Sequence, residues 1–123
     1  GAESVDVTNE ISKDLIDIAT KSVASIPGLH TAGVDILTEN FNSKTGYIIE
    51  INTNANHKVH YLPYYGTVRK PYENMIENMF IKYKVNFGYG LTQQERRIYR
   101  EIAVFNKYKE MYHNKLGNEV FKD

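Results

Sequence analysis

The sequence contains no cysteine, which excludes disulfide bonds and metal sites built on thiolates. It also has no apolar run close to the roughly 20 residues that cross a bilayer. The opening residues, GAESVDVTNE, lack the basic start and the apolar stretch of a signal peptide. Because a chain without cysteine is compatible with a reducing compartment, we expect a cytoplasmic protein that has no membrane partner.

An excess of charge of one sign is missing as well. Fifteen Lys and Arg side chains balance fifteen Asp and Glu side chains, so the chain has no overall field that would attract nucleic acid or an anionic membrane. Its ten tyrosines lie mostly at core spacing or in the YLPYYG stretch, which does not favour base stacking. We therefore expect no nucleic-acid partner.

Apolar sequence is plentiful. The 123 residues are 41% hydrophobic and 12% aromatic, which is enough for the core of one compact domain. The chain begins with Gly1 and not with methionine, which suggests a processed protein or a piece of a longer one.

Strand, helix and hairpin patterns fill the first half of the chain. Residues 3–8, ESVDVT, alternate like a short strand. Ser12 is placed to cap a helix that Pro27 and Gly28 would end, and one side of this helix should pack on a sheet. HTAGVDILT and YIIEINT, joined by the turn-rich ENFNSKTG, predict an antiparallel hairpin.

Two helices are predicted in the second half, after an irregular aromatic stretch at residues 54–70. Pro71 suits the first turn of one helix, and Thr92 with Glu95 predicts a capping box for a longer one that Gly117 would end. The order of strand, helix, hairpin, helix and helix indicates an α+β fold. The apolar positions of the two helices are Met75, Ile76, Met79, Phe80 and Tyr83 in the first, and Ile98, Ile102, Phe105, Tyr108, Tyr112 and Leu116 in the second.

Polar side chains interrupt one face of the hairpin. Side chains alternate along a strand, so Glu50 and Asn52 share a face, and if Thr38 pairs with Tyr47 then Asp35 lies opposite Glu50. This register also collects four apolar side chains on the other face, namely Val34, Ile36, Ile49 and Ile51.

Two opposed carboxylates repel each other, and a bound cation would compensate. A hard divalent cation such as Mg²⁺ prefers oxygen ligands and commonly uses one or two carboxylates. Asp35, Glu50 and Asn52 are therefore candidate metal ligands. Alternatively, the three side chains face water beside a lysine or arginine, and the hairpin pattern is compatible with both interpretations.

Other polar residues give weaker signals. In an extended loop His57 and His60 would point to opposite sides, which does not favour zinc. Lys58 and Arg69 could contact phosphate or a carboxylate, or simply face solvent. The apolar stripe of the last helix could close on the core or mediate association. Its cationic residues are expected on a solvated face: Arg96, Arg97, Arg100, Lys107, Lys109 and Lys115.

Three segments together resemble the C-terminal part of an ATP-grasp domain. They are AGVDIL (residues 32–37), YIIEINTN (47–54) and HYLPYYGTVR (60–69), the last with the pattern HxxPxxGxxR. SVDVTNEIS is also similar to the stretch that leads into the preceding helix of such domains. The nearest resemblance is to glutathione synthetase-like and cyanophycin synthetase-like carboxylate-amine ligases.

The resemblance implies a site and a reaction. Asp35, Glu50 and Asn52 would bind Mg²⁺, with Mn²⁺ as an alternative. Glu50 and Asn52 would also be the residues that bind the Mg-ATP cofactor. His60 and Arg69 would be catalytic residues that face substrate or phosphate. Such ligases phosphorylate a carboxylate with ATP, and an amine or thiol then attacks the acylphosphate. Residues 1–90 would be the C-terminal part of the ATP-grasp domain, followed by an appended helical segment at 91–123.

Three departures from the family pattern qualify these expectations. Ala55 and Asn56 replace a proline and a glycine, Gly33 stands where some of these ligases have arginine, and the first half of the domain is missing. We therefore expect a fragment that is inactive without the N-terminal part of the same protein. A homo-oligomer is left open, and the alternative function is a non-catalytic binding or assembly module.

Overall fold

The computed structural model describes residues 4–120, without the side chains of residue 59 and residues 115–120. Its two strands form one antiparallel sheet, and its last element is a long helix. The predicted α+β class with a C-terminal helix is therefore confirmed. The elements are α1 (Lys13–Ala24), β1 (Gly33–Leu37), β2 (Tyr47–Asn52), α2 (Lys58–Tyr61), α3 (Pro71–Asn86) and α4 (Gln93–Val120).

The chain divides into two compact units. The hairpin unit consists of Val7–Asn56 and residues 105–120, and the loop unit consists of residues 4–6 and His57–Val104. The hairpin unit contains α1, β1 and β2, whereas the loop unit contains α2 and α3. Within the described residues, no helix is both long enough and apolar enough to cross a membrane.

Ser12 connects the start of α1 to the hairpin loop. Its Oγ accepts a hydrogen bond from the Leu15 N–H at 3.2 Å, which confirms the predicted N-cap, and it donates to the Ser43 carbonyl at 2.7 Å. Leu15 is buried, and a Cβ atom at Gly46 would lie 2.9 Å from Leu15 Cδ2 and 2.7 Å from Ile36 Cγ2. Helix α1 therefore packs on the hairpin as predicted.

The predicted strand at residues 3–8 is wrong where the structure describes it. Val5 forms a single parallel bridge with Tyr65 in place of a strand. The Asp6 N–H donates to the Tyr65 carbonyl at 2.8 Å, and the Tyr64 N–H donates to the Ser4 carbonyl at 2.6 Å. Alternation alone predicted a strand here, but pairing this short supplies too few hydrogen bonds to extend one.

Helix α3 begins at Pro71 as predicted, but the expected apolar face is not its buried face. Ile76, Met79 and Phe80 are 54%, 69% and 63% exposed, whereas Ile81 is fully buried. Ile81 lies five positions after Ile76, which places it on the other side of a helix with about 3.6 residues per turn. The sequence pattern marks the apolar residues of α3 without showing which of them a neighbouring element covers.

Helix α4 has the predicted capping box but continues beyond its predicted end. Thr92 Oγ1 accepts from the Glu95 N–H at 3.1 Å, and Glu95 Oε1 accepts from the Thr92 N–H at 3.0 Å. The predicted C-cap at Gly117 is wrong because α4 continues to Val120. Glycine lowers helix stability by only about 1 kcal/mol and does not force a helix to end. The side chain of Leu116 lies outside the described residues.

Lys109 was expected on the solvated face of α4, and this prediction is also wrong. The residue is only 8% exposed, and its Nζ donates to the Ile26 carbonyl at 3.3 Å. Nζ also lies 5.4 Å from the centre of the Phe105 ring. The long aliphatic stem of lysine can be buried while the amine finds a carbonyl and an aromatic face.

Candidate functional site

Asp35 and Glu50 lie directly opposite each other in the hairpin. The ladder pairs Asp35 with Glu50 and Gly33 with Asn52. Residues that oppose each other in an antiparallel ladder have Cβ atoms roughly 4.5–5.5 Å apart and share a face. Asp35, Glu50 and Asn52, which we call the oxygen cluster, therefore lie on one face of the hairpin. The predicted pairing of Asp35 with Glu50 is confirmed.

Beyond Asp35 the predicted register is wrong. Ile36 pairs with Ile48 and Leu37 pairs with Tyr47, so Tyr47 does not pair with Thr38. The shift leaves Ile49 without an opposite residue, and this side chain is 65% exposed instead of joining the apolar face. A β-bulge of this kind adds one residue to one strand and increases the local twist.

The carboxylates of the oxygen cluster form no ion pair with a lysine, arginine or histidine in the described part of the chain. Asp35, Glu50 and Asn52 are all exposed. The ion pairs among the described residues join Lys21 to Asp17, Arg69 to Asp6 and Lys84 to Glu95. The described residues therefore show the solvent exposure that the alternative interpretation expects, without an ion pair to a lysine or arginine.

The donor set fits a hard divalent cation. Two carboxylates and one amide oxygen are ligands that Mg²⁺ accepts when water or phosphate completes its shell. Within the described residues, no group of three or more His, Cys, Asp and Glu side chains is placed to hold a metal ion. A site here would therefore have only two carboxylates, Asp35 and Glu50, and would need a neutral oxygen such as that of the predicted ligand Asn52.

Asn52 also shapes the chain that follows β2. Its Oδ1 accepts a hydrogen bond from the Asn54 N–H at 2.9 Å, which forms an Asx turn. A carbonyl oxygen has two lone pairs, so this bond leaves one for a cation. Sequence analysis missed this turn, although an asparagine at the end of a strand is a typical signal for one.

His60 and Arg69 belong to the loop unit. The predicted extended loop around the histidines is wrong because His60 lies in the helical turn α2, with His57 at the N-cap position. The His60 N–H donates to the His57 carbonyl at 3.1 Å, a local bond that an extended chain cannot form. Residues three positions apart in such a turn lie on the same side of the helix.

Arg69 is held by Asp6, a residue that sequence analysis did not select. Arg69 Nε and Nη2 lie 3.2 and 3.1 Å from Asp6 Oδ2, and the Thr67 N–H donates to the same oxygen at 3.3 Å. The Arg69 N–H in turn donates to the His60 carbonyl at 2.9 Å. The structure therefore brings together His60, Arg69 and the Asp6 of the SVDVT stretch.

Gly66 allows Asp6 to approach the loop this closely. Its φ is 103°, and a Cβ atom at Gly66 would lie 2.7 Å from Asp6 Cβ. This is a position where only glycine is free of both backbone strain and overlap. The glycine of the HxxPxxGxxR pattern thus serves the contact between Asp6 and Arg69.

Comparison with known proteins finds a similar sequence in a protein of glutathione biosynthesis. The chain is 32% identical over 84 residues to the glutathione biosynthesis bifunctional protein of Clostridium perfringens. The match covers 65% of this chain but only 11% of that protein. No family model matches the chain, and no solved structure matches it significantly. At a coarse level, the chain is similar to part of an enzyme of glutathione biosynthesis.

Proposed function

We propose that this chain is part of an ATP-dependent ligase that joins a carboxylate to an amine or a thiol. The observation that carries this proposal is the pairing of Asp35 with Glu50 on an exposed face, where neither carboxylate forms an ion pair with a described residue. The similarity to a glutathione biosynthesis protein supports the same class of enzyme.

The oxygen cluster would hold Mg²⁺, or Mn²⁺ in its place, together with ATP. When ionised, Asp35 and Glu50 accept and do not donate, and the two negative charges on paired residues favour cation binding. Asn52 would add a neutral oxygen and therefore no further repulsion. When bound, the cation neutralises charge on the triphosphate and on the phosphoryl group during transfer.

Arg69 and His60 would contact the anionic group of the substrate. A guanidinium carries five N–H donors; Arg69 Nε donates to Asp6 Oδ2 at 3.2 Å, and Nη2 forms an ion pair with the same oxygen at 3.1 Å. The planar guanidinium also suits a carboxylate or a phosphate, which it can bind with two parallel N–H donors. His60 is exposed on a turn whose carbonyl accepts from the Arg69 N–H, so the two residues would act on the same ligand.

The remaining parts of the site would come from the rest of a longer, cytoplasmic ligase. The chain spans 11% of the length of its relative, so residues that bind adenine and most of the phosphates would lie elsewhere. On its own the chain would not turn over ATP. One observation favours the alternative of a binding or assembly module, namely the exposed apolar face of α3.

The first experiment is a Mn²⁺ titration, with and without ATP, of the ¹⁵N-labelled chain. We expect paramagnetic broadening that is strongest at the amides of Asp35, Glu50 and Asn52. Glu50→Gln should weaken this broadening about tenfold because it removes one charge from the cluster. Glu39→Gln removes the same charge from an exposed loop position and should change nothing.

Equal broadening in Glu50→Gln and Glu39→Gln would contradict a metal centre at the oxygen cluster. In the intact ligase, Glu50→Gln should abolish ATP turnover while the protein stays folded. Normal turnover by that variant would contradict a catalytic role for the oxygen cluster.

A further inference from the structure

The chain after β2 turns back over the hairpin. The Asx turn at Asn52 reverses the direction of residues 53–56. A Cβ atom built on Gly33 would lie 2.8 Å from Ala55 Cβ and 3.9 Å from Ala55 Cα. Gly33 is also the residue that opposes Asn52 in the ladder. Two positions that depart from the ATP-grasp pattern, Gly33 and Ala55, are thus in contact.

The contact lies on the face of the oxygen cluster. Side chains two positions apart on a strand point to the same face, so the Cβ direction of Gly33 matches that of Asp35. Ala55 is reached along that direction and therefore lies at the Asn52 end of the cluster. Ala55 is half-buried there, whereas the three members of the cluster are exposed.

Space, and not backbone conformation, requires glycine at position 33. In the described part of the chain, the glycines with positive φ are Gly28, Gly66 and Gly88. Gly33 has an ordinary strand conformation that any L-residue could adopt. A Cβ contact of 2.8 Å is shorter than real Cβ atoms show. Because Ala55 Cβ is fixed to its own backbone, a side chain at position 33 would have to displace the loop.

We propose that Gly33 is a positioning residue for the candidate metal centre. By leaving its Cβ position empty, it allows Ala55 to pack on β1, and this packing fixes the Asx turn that orients Asn52 Oδ1. The proposal rests on the proposed function, and its ligand is a hydrated divalent cation that takes oxygen donors. Residues that orient metal ligands in this way commonly affect metal affinity by about tenfold or more.

The test uses Gly33→Ala in the full ¹⁵N-labelled chain, with Mn²⁺ as the probe. We expect the amide resonances of residues 52–56 to shift and Mn²⁺ broadening at Asp35 and Asn52 to require roughly tenfold more metal. Gly90→Ala is the matched control, because a Cβ atom there meets nothing within 4 Å. It should leave both readouts as in the wild type.

The double variant Gly33→Ala with Ala55→Gly tests the steric cause. It moves the methyl group from position 55 to position 33, where the remaining 3.9 Å distance to the Cα atom of residue 55 is an ordinary contact. We expect the double variant to recover most of the lost Mn²⁺ affinity and the wild-type pattern of shifts. Urea unfolding of each variant shows whether the fold is kept.

Three results would overturn the proposal. One is a Gly33→Ala variant that matches Gly90→Ala in shifts and Mn²⁺ affinity, and another is a double variant no better than Gly33→Ala. The third is a wild type in which Mn²⁺ affects none of the oxygen cluster, which would also remove the proposed metal centre. In that case the shifts of residues 52–56 would still show whether Gly33 and Ala55 pack together.

Discussion

Asp6 joins two segments that are about sixty positions apart in the sequence. One carboxylate oxygen accepts from the Thr67 N–H and from Arg69 Nε and forms an ion pair with Nη2. The Asp6 side chain is only 12% exposed, so loss of the carboxylate would leave donors of Thr67 and Arg69 partly shielded from water. Such unsatisfied groups cost more than the bond itself contributes.

We predict that Asp6→Ala lowers the free energy of unfolding by about 1–3 kcal/mol. Asp6→Asn should cost less, because an amide oxygen can still accept from the Thr67 N–H. Urea denaturation followed by circular dichroism measures both values. Glu10→Ala, at an exposed position, is the control and should change stability little. A loss in Glu10→Ala as large as that in Asp6→Ala would contradict the role of Asp6.

Asp17 connects α1 to α4 within the hairpin unit. The Tyr108 hydroxyl donates to Asp17 Oδ1 at 2.5 Å, and Lys21 Nζ lies 2.9 Å from Oδ2. The Tyr108 hydrogen bond and then the Lys21 contact lower the pKa of Asp17 below its ordinary value of 3.8. The folded state therefore favours the ionised carboxylate more than the unfolded state does.

This pKa shift predicts how stability changes with pH. A lowered folded-state pKa stabilises the protein above the unfolded pKa, and the contribution is lost as pH falls through the folded pKa. Tyr108→Phe should therefore lower the free energy of unfolding at pH 6, and the difference from wild type should shrink by about pH 2. Urea denaturation at both pH values measures it. Tyr99→Phe is the control, and a deficit for Tyr108→Phe that is unchanged at pH 2 would refute the electrostatic cause.

Alanine substitutions on the two faces of α3 should differ in their effect on the free energy of unfolding. Ile81 is fully buried, so Ile81→Ala should cost about 2–5 kcal/mol of unfolding free energy. Met79 is 69% exposed, so Met79→Ala should cost less than about 0.5 kcal/mol. Alanine has a higher helix propensity than either isoleucine or methionine. Helix propensity therefore does not cause the expected loss of stability in Ile81→Ala. Urea denaturation of both variants measures the two losses of unfolding free energy. A larger loss in Met79→Ala than in Ile81→Ala would show that α3 buries its other face.

The sequence predicted elements well where a local rule decides them. The Ser12 cap, Pro71 at the start of α3 and the capping box at Thr92 follow from hydrogen-bond needs within one helical turn, and all three are present. Alternation also predicted the pairing of Asp35 with Glu50. It could not predict the bulge, because an extra residue depends on how the two strands twist against their neighbours.

The order of helices and strands predicted the α+β class of the protein. That order did not predict which residues belong to each of the two compact units. Residues 4–6 join His57–Val104 through contacts such as that of Asp6 with Arg69, which are 63 positions apart in the sequence. A sequence pattern reports on neighbours a few positions away, and the packing of Ala55 on Gly33 beside the oxygen cluster was missed for the same reason.

Charge and exposed apolar surface together determine how copies of the chain interact. At pH 7 the fifteen basic and fifteen acidic side chains cancel, so long-range repulsion between copies is weak. Ile76, Met79 and Phe80 meanwhile expose apolar surface along one face of α3. Exposed apolar surface of this kind promotes association when no repulsion opposes it.

We predict that Met79→Lys raises the solubility of the chain at pH 7 severalfold. The substitution adds one positive charge and removes apolar surface from the exposed face of α3. Asn74→Lys adds the same charge at another exposed position of α3 but removes no apolar side chain, so its effect should be smaller. Solubility in ammonium sulfate and light scattering against concentration measure the two effects. If the two variants gained equally, charge alone would account for the change, and the apolar face of α3 would have no part in association.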